Sequence, residues 1–221
     1  CFTKAMTHVP RLTSMGKRGY FITFEGPEGS GKSSQARRLA AVLRRHGYRV
    51  VLVRDPGSTA VGRALRRVLL HSQHALSPMT EAMLFLAGRI QLVQERIRPA
   101  LEAGRIVICD RFHDATVVYQ GFGGQLDVSW LDRLGRRAIG QCLPDLTLVL
   151  DVPTQVGLRR HKRQKDRMER KVVAFHRRVR GGYVTLAKQQ PRRFVVLDGT
   201  CAKDPLHRQI GEIVSKRLKL R

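Results

Sequence analysis

Gly26, Gly31, Lys32 and Ser33 stand in the pattern Gly-x-x-x-x-Gly-Lys-Ser, after a short apolar run and before a helical stretch. That order suits phosphate chemistry. Glycines let backbone N–H groups turn inward onto phosphate oxygens, a lysine reaches the outer phosphates, and a serine hydroxyl can ligate Mg²⁺. The helix that follows adds its partial positive charge. The segment Gly26, Pro27, Glu28, Gly29, Ser30, Gly31, Lys32, Ser33 and Ser34 therefore reads as a P-loop for the phosphates of ATP. The plainer alternative is a glycine-rich turn without nucleotide, which leaves the flanking strand and helix unexplained.

Such a loop needs a sheet to hold it. Apolar runs at 21–25, 48–54, 105–110, 146–151 and 194–198 alternate with helical patterns, the first of them at 33–46. A long periodic stretch begins at Ser77-Pro78, an N-cap followed by proline at the first helical position, and runs to about Gly104 with Met83, Leu84, Leu86, Ile90, Val93 and Ile97 as its apolar positions. Strands separated by helices call for a parallel sheet covered on both faces. The expected fold is therefore α/β, a five-stranded parallel sheet flanked by helices. Four strands end in polar groups, at Glu25-Gly26, Arg54-Asp55, Asp110-Arg111 and Asp151. Ligands of open parallel sheets bind beyond the carboxyl ends of the strands, so these groups can share one cleft. For Asp151, followed by Val-Pro, the favoured reading is a turn rather than a metal ligand.

At 221 residues the chain suits one domain with a small appendage, and no apolar run is long enough to cross a bilayer. Residues 1–18 read as a candidate disordered extension, basic but without the apolar core of a secretory signal. Cys1, Cys109, Cys142 and Cys201 lie far apart without metal-type spacing, which fits a reduced, cytoplasmic setting. The 42 Lys and Arg outnumber 17 Asp and Glu, for a net charge of +25. That excess raises a nucleic-acid contact as a rival function. The cations are spread along the whole chain, on helix faces such as Arg37, Arg38, Arg44 and Arg45, and no aromatic-interleaved basic stretch accompanies them. General surface bias is the favoured reading.

An ordered set of segments carries a family likeness. Glu25-Gly-Pro-Glu-Gly-Ser-Gly-Lys-Ser33, Arg54-Asp-Pro-Gly57, Phe85-Leu-Ala-Gly-Arg89 and Asp110-Arg-Phe-His-Asp-Ala-Thr-Val-Val-Tyr-Gln-Gly121 come in that order. Pro144-Asp-Leu-Thr-Leu-Val-Leu-Asp151 and Asp166-Arg-Met-Glu169 follow. From residue 19 onward the chain resembles thymidylate kinases, P-loop nucleoside monophosphate kinases that transfer the γ-phosphoryl of ATP to dTMP with Mg²⁺ and commonly pair as homodimers. No single block after the P-loop is specific; the set is.

The resemblance implies roles position by position. Phe85 would stack on the thymine ring, Arg89 would hydrogen-bond a base carbonyl, and Thr116 would meet the base edge. Tyr119 would pack beside the sugar, with Gln120 lining the same pocket. Arg54 and Arg111 would grip the acceptor phosphate, and Glu28 would sit near the 3′-OH and a metal-bound water. Asp110 would help Ser33 hold Mg²⁺. Residues 159–170 resemble the family's lid. Because Gly29 stands where one family variant carries an arginine, a lid arginine would have to close on the transferred group, Arg163 first, then Arg160 and Arg167. A same-fold kinase with another acceptor remains the nearest alternative. Four positions depart from the family pattern: Asp55 for Glu, Ser58 for a second glycine, Phe112 for Tyr, and Ala115 beside Thr116.

Overall fold

A computed structural model of the protein describes residues 18–140, 142–160 and 166–219. Five strands, β1 (Phe21–Glu25), β2 (Val50–Arg54), β3 (Ile106–Asp110), β4 (Leu146–Asp151) and β5 (Phe194–Asp198), form one parallel sheet in the order β2-β3-β1-β4-β5. Parallel neighbours cannot be joined by hairpins, so helices cover both faces. On one side pack α1 (Lys32–Arg45) and α9 (Lys203–Leu218), burying Leu39, Leu43, Ile210 and Val214 against Ile22, Phe24, Ile108 and Leu148. The other side takes α2 (Ala60–His71), α3 (Pro78–Leu92), α4 (Arg98–Glu102), α5 (His113–Thr116), α6 (Val128–Ile139), α7 (Thr154–Arg160) and α8 (Val173–Gln189), or the edges beside it. The two-residue period of a strand divides these cores. Ile22 and Phe24 face α1, whereas Phe21 meets Leu92, Val93 and Phe112 across the sheet.

β2 and β3 start two residues and one residue later than their apolar runs suggest, the usual looseness of element ends, and the other three strands match theirs. The long helix differs more. Between α3 and α4 the chain widens into a π-helical turn at Val93–Ile97. Pro99 lies just beyond it; a proline there donates no N–H and crowds the preceding turn, which accounts for the break. The face also differs from the apolar pattern. Met83 is 37% exposed, while Glu81 and Arg89 are each 1% exposed. Helical spacing places residues around a cylinder, but it does not say which polar side chains find partners inside.

The order of strands makes the site. From β1 the chain crosses past β3 to β2, returns to β3, then goes to β4 on the other flank of β1. Connections diverge on either side of β1, leaving a crevice at the carboxyl ends of β1 and β3. Register brings Phe24 level with Asp110 and Arg54 level with Asp110, so the charged strand ends meet there.

Candidate active site

A cleft of about 710 Å³ opens at that crevice. One end is the glycine-rich loop. Gly29 has φ +68°, and a Cβ there would stand 2.1 Å from the carbonyl oxygen of Gly157 on α7. No side chain fits, so a P-loop arginine at this position is sterically closed to this chain. Gly29→Ala is expected to displace the loop and raise the KM for ATP about tenfold, read from initial rates at varied ATP.

Lys32 curls over the loop, its Nζ donating to the Pro27 carbonyl at 2.7 Å and to Ser30 Oγ at 3.1 Å. Burial lowers its pKa to about 8, with Arg111 adding repulsion and Glu28, Asp110 and Glu25 opposing it. Ser33 Oγ hydrogen-bonds Asp110 Oδ2, to which Arg54 Nε also donates at 3.3 Å. A hydroxyl beside a carboxylate is an all-oxygen donor set, the chemistry that suits Mg²⁺. Ser58, a departure in sequence, has a place: its hydroxyl accepts from the Arg54 N–H at 2.7 Å and closes the turn.

The middle of the cleft is cationic. Arg111 adopts φ +67° straight after β3, which throws its side chain across the sheet ends. Its guanidinium donates to Glu28 at 2.8 Å, to Gly26 O at 3.3 Å and to Tyr183 OH at 3.4 Å, and lies 4.7 Å over the Tyr119 ring. Burial works against its charge, but Glu28, Tyr119, Tyr183 and Glu25 more than offset this and hold the pKa well above the usual arginine value. Arg66 on α2 lines the same space and donates to the Pro56 carbonyl at 3.2 Å. Sequence reasoning missed it. Arg63, Arg66 and Arg67 look alike in a helical pattern, and only the path of the chain after β2 decides which one turns inward.

Beneath Arg111 lies Glu25, fully buried. It accepts from the Phe112 N–H and from Tyr183 OH, both at 2.7 Å, which fixes the turn carrying Arg111. Burial, aided by the like charge of Asp114, pushes its carboxyl from 4.5 up to about 7, against Arg111, Tyr183 and the Phe112 amide. Between those two values the unfolded chain releases a proton that the folded protein retains, so folding stability falls as pH rises. The fall is about 3 kcal/mol, complete above pH ~7. Glu25→Gln should flatten that component in urea titrations across the range.

The far end of the cleft is a pocket lined by Phe85, Arg89, Thr116, Tyr119 and Gln120. Arg89 is anchored by Asp55, Nε to Oδ2 at 2.5 Å, so the shorter carboxylate still reaches it. Tyr119 donates its hydroxyl to Glu28 at 2.6 Å. Arg89 Nη1, Asp55 Oδ1, Thr116 Oγ1 and Gln120 Oε1 are buried without a protein partner. Buried polar atoms are normally paired, so this group can receive a ligand that brings its own donors and acceptors. Phe112, which lacks the tyrosine hydroxyl, is fully buried edge-on to Phe21 at 5.0 Å, where a hydroxyl would need a partner.

The basic 159–170 segment divides. Arg160 lines the cleft and donates to the carbonyls of Gly199 at 2.8 Å and Gly29 at 3.4 Å. Arg167 does not line it. Its guanidinium is held by Leu69 O at 2.8 Å and Glu81 at 2.6 Å, away from the cleft lining. A buried carboxylate on α3 outcompetes the solvent-filled cleft for it. Arg163 lies outside the described residues. Asp151 is paired with Arg180 through two bonds of 2.8 Å and does not line the cleft.

A P-loop on a β2-β3-β1-β4-β5 parallel sheet, facing a second polar pocket across a bed of arginines, defines a nucleotide phosphotransferase of the nucleoside monophosphate kinase class. The thymidylate kinase family model matches residues 24–210. A thymidylate kinase of Thermomicrobium roseum is 46% identical over 203 residues, covering 90% of this chain and 96% of its own. One from Geobacter sulfurreducens is 44% identical over 212 residues, covering 92% and 100%. The crystal structure of thymidylate kinase from Ehrlichia chaffeensis superposes with a TM-score of 0.74 at 33% identity, covering 89% of this chain and 99% of that one. The chain belongs to the thymidylate kinase family, and with it to the ATP-dependent nucleoside monophosphate kinases.

Proposed function

We propose that the protein transfers the γ-phosphoryl group of ATP to dTMP, yielding ADP and dTDP. The observation that carries the reading is the set of unpartnered buried polar atoms on Arg89, Thr116 and Gln120 beside Phe85, with Arg54, Arg66 and Arg111 between them and the P-loop. Phe85 offers a face for a pyrimidine; Arg89 donates to its carbonyl while Thr116 and Gln120 meet its edge. The Tyr119 hydroxyl, tied to Glu28, closes the sugar side and leaves little room for a 2′-OH.

Arg54, Arg66 and Arg111 hold the acceptor phosphate in line with the donor, whose phosphates the P-loop amides and Lys32 fix. The acceptor is already an anion at neutral pH, so positioning and charge neutralisation carry the catalysis and no strong general base is needed. Ser33 and Asp110, with Glu28 through a water, would hold Mg²⁺, which when bound neutralises charge on the donor phosphates. Arg160 caps the donor side, and Arg163 is the arginine proposed to close on the transferred group. Residues 19–221 act as one kinase domain with a lid at about 159–170. Exclusion of water by that lid would protect the phosphoryl group from hydrolysis.

Two copies are proposed to pair through helices beside the sheet, because Val61 and Val68 on α2, Met83 on α3 and Trp130 on α6 stay exposed. A cytoplasmic setting follows from the substrates. ADP release should be measured with dTMP, dUMP, dGMP, dCMP and thymidine offered separately. dTMP should be the preferred acceptor; phosphorylation of thymidine with none of dTMP would sink the proposal.

A further inference from the structure

The carboxyl of Glu81 is 2% exposed and touches two parts of the molecule that the mechanism above keeps separate. One oxygen accepts from Gln120 Nε2 at 3.0 Å. The other accepts from Arg167 at 2.6 Å and from Lys171 Nζ at 3.1 Å. We propose that Glu81 is a positioning residue that couples the acceptor pocket to the turn at residues 166–171. The proposal rests on the dTMP kinase reading, and it deepens it.

Each link has a physical basis. The Gln120 carboxamide spends its N–H on Glu81, which leaves its oxygen, buried and without a protein partner, as the end that meets an acceptor in the pocket. The turn at 166–171 is a stiff unit. Asp166 Oδ1 accepts from the N–H groups of Met168 at 2.9 Å and Glu169 at 3.0 Å, and Glu169 Oε2 accepts from the Asp166 N–H at 3.1 Å. Met168 is buried in the cluster that contains Tyr119 and Phe175. Arg167 also ties the turn to the end of α2, through its N–H to Leu70 O at 3.0 Å. Asp166, Met168 and Glu169 line the cleft as well.

Glu81 is therefore the one side chain bonded to both Gln120 and this turn among the described contacts. Burial pushes its carboxyl up, but the bonds from Gln120, Arg167 and Lys171 bring it below the usual range, so it stays an anion between two cations. Without that charge Arg167 and Lys171 face each other uncompensated, and the amide is free to turn over. An acceptor that engages Gln120 thus also tightens the turn.

The test is amide hydrogen exchange of residues 166–171 in the full-length protein, with and without saturating dTMP, beside steady-state kinetics. In the wild type dTMP should slow exchange in this turn about tenfold. In Glu81→Gln, with dTMP bound, that slowing should vanish, and kcat/KM for dTMP should fall about tenfold while the KM for ATP stays within twofold. Glu81→Asp should restore part of both. A purely structural role would lower the melting temperature and leave the dTMP-dependent slowing intact. If Glu81→Gln does not fold, Lys171→Met, at a site 28% exposed, is read the same way. No slowing in a wild type that turns over dTMP, or equal slowing in the variant, overturns the coupling. A wild type that fails to turn over dTMP marks failure of the functional reading instead.

Discussion

Lys32→Ala should reduce kcat by about a thousandfold, the largest loss expected from any single substitution in this protein. Lys32 is the cation built into the P-loop, 6% exposed and already bonded to the Pro27 carbonyl and Ser30 Oγ. In the transition state charge spreads over the oxygens of the transferred group, and the lysine meets that charge without moving far. Alanine leaves the Pro27 carbonyl without its donor, at a cost of about 1 kcal/mol in stability, too small to explain a loss of that size. Single-turnover kinetics at saturating ATP and dTMP would separate chemistry from binding, and a loss of less than about tenfold would remove Lys32 from the transition state. Its pKa near 8 adds a second signature. Phosphates bring negative charge to a lysine that burial has disfavoured, so ATP binding above pH ~8 should take up a proton. Calorimetry in buffers of different ionisation enthalpy reads that directly.

Arg111→Lys should lower kcat/KM for dTMP about a hundredfold although the charge is kept. The guanidinium reaches Glu28, Gly26 and Tyr183 at once while lying 4.7 Å over the Tyr119 ring. An ammonium cannot reach those partners at once, nor present a fork to a phosphate. The backbone at this position already has φ +67°, a strain that lysine inherits unchanged, so the comparison isolates the side chain. Retention of kcat/KM within threefold, with a melting curve like the wild type's, would show that Arg111 contributes only as a charge. Arg54 would then be the leading candidate for orienting the acceptor, since it shares Asp110 and Ser33 with the proposed metal position.

Much of the donor half of the site was legible before any coordinates. The P-loop is a local device in which glycines, lysine and serine act through fixed covalent spacing. The start of α3 is similar: the Ser77 hydroxyl accepts from the Thr80 N–H at 3.1 Å, as Ser-Pro predicts. Strand ends at Glu25, Arg54 and Asp110 were visible because apolar runs stop there. The proposed acceptor pocket is reached only through an ordered resemblance, since Phe85 and Arg89 on helical spacing look like any core aromatic and surface arginine. Arg66 and Glu81 gave no signal at all. Arg167, one of several arginines in a basic run, is bonded to Glu81 on α3, a pairing that no local spacing marks.

The amino-acid order by itself determined an α/β chain with a phosphate-binding loop and a set of charged strand ends, because turns, caps and periodicities act between residues a few positions apart. The tertiary structure alone decided which arginines line the cleft, that Glu25 sits under Arg111 against Tyr183, and that Gly157 closes the loop to a side chain at residue 29. These pairings join segments up to 158 residues apart. They depend on the sheet order and on competition among like-charged side chains for a few buried carboxylates, and neither is encoded in local spacing.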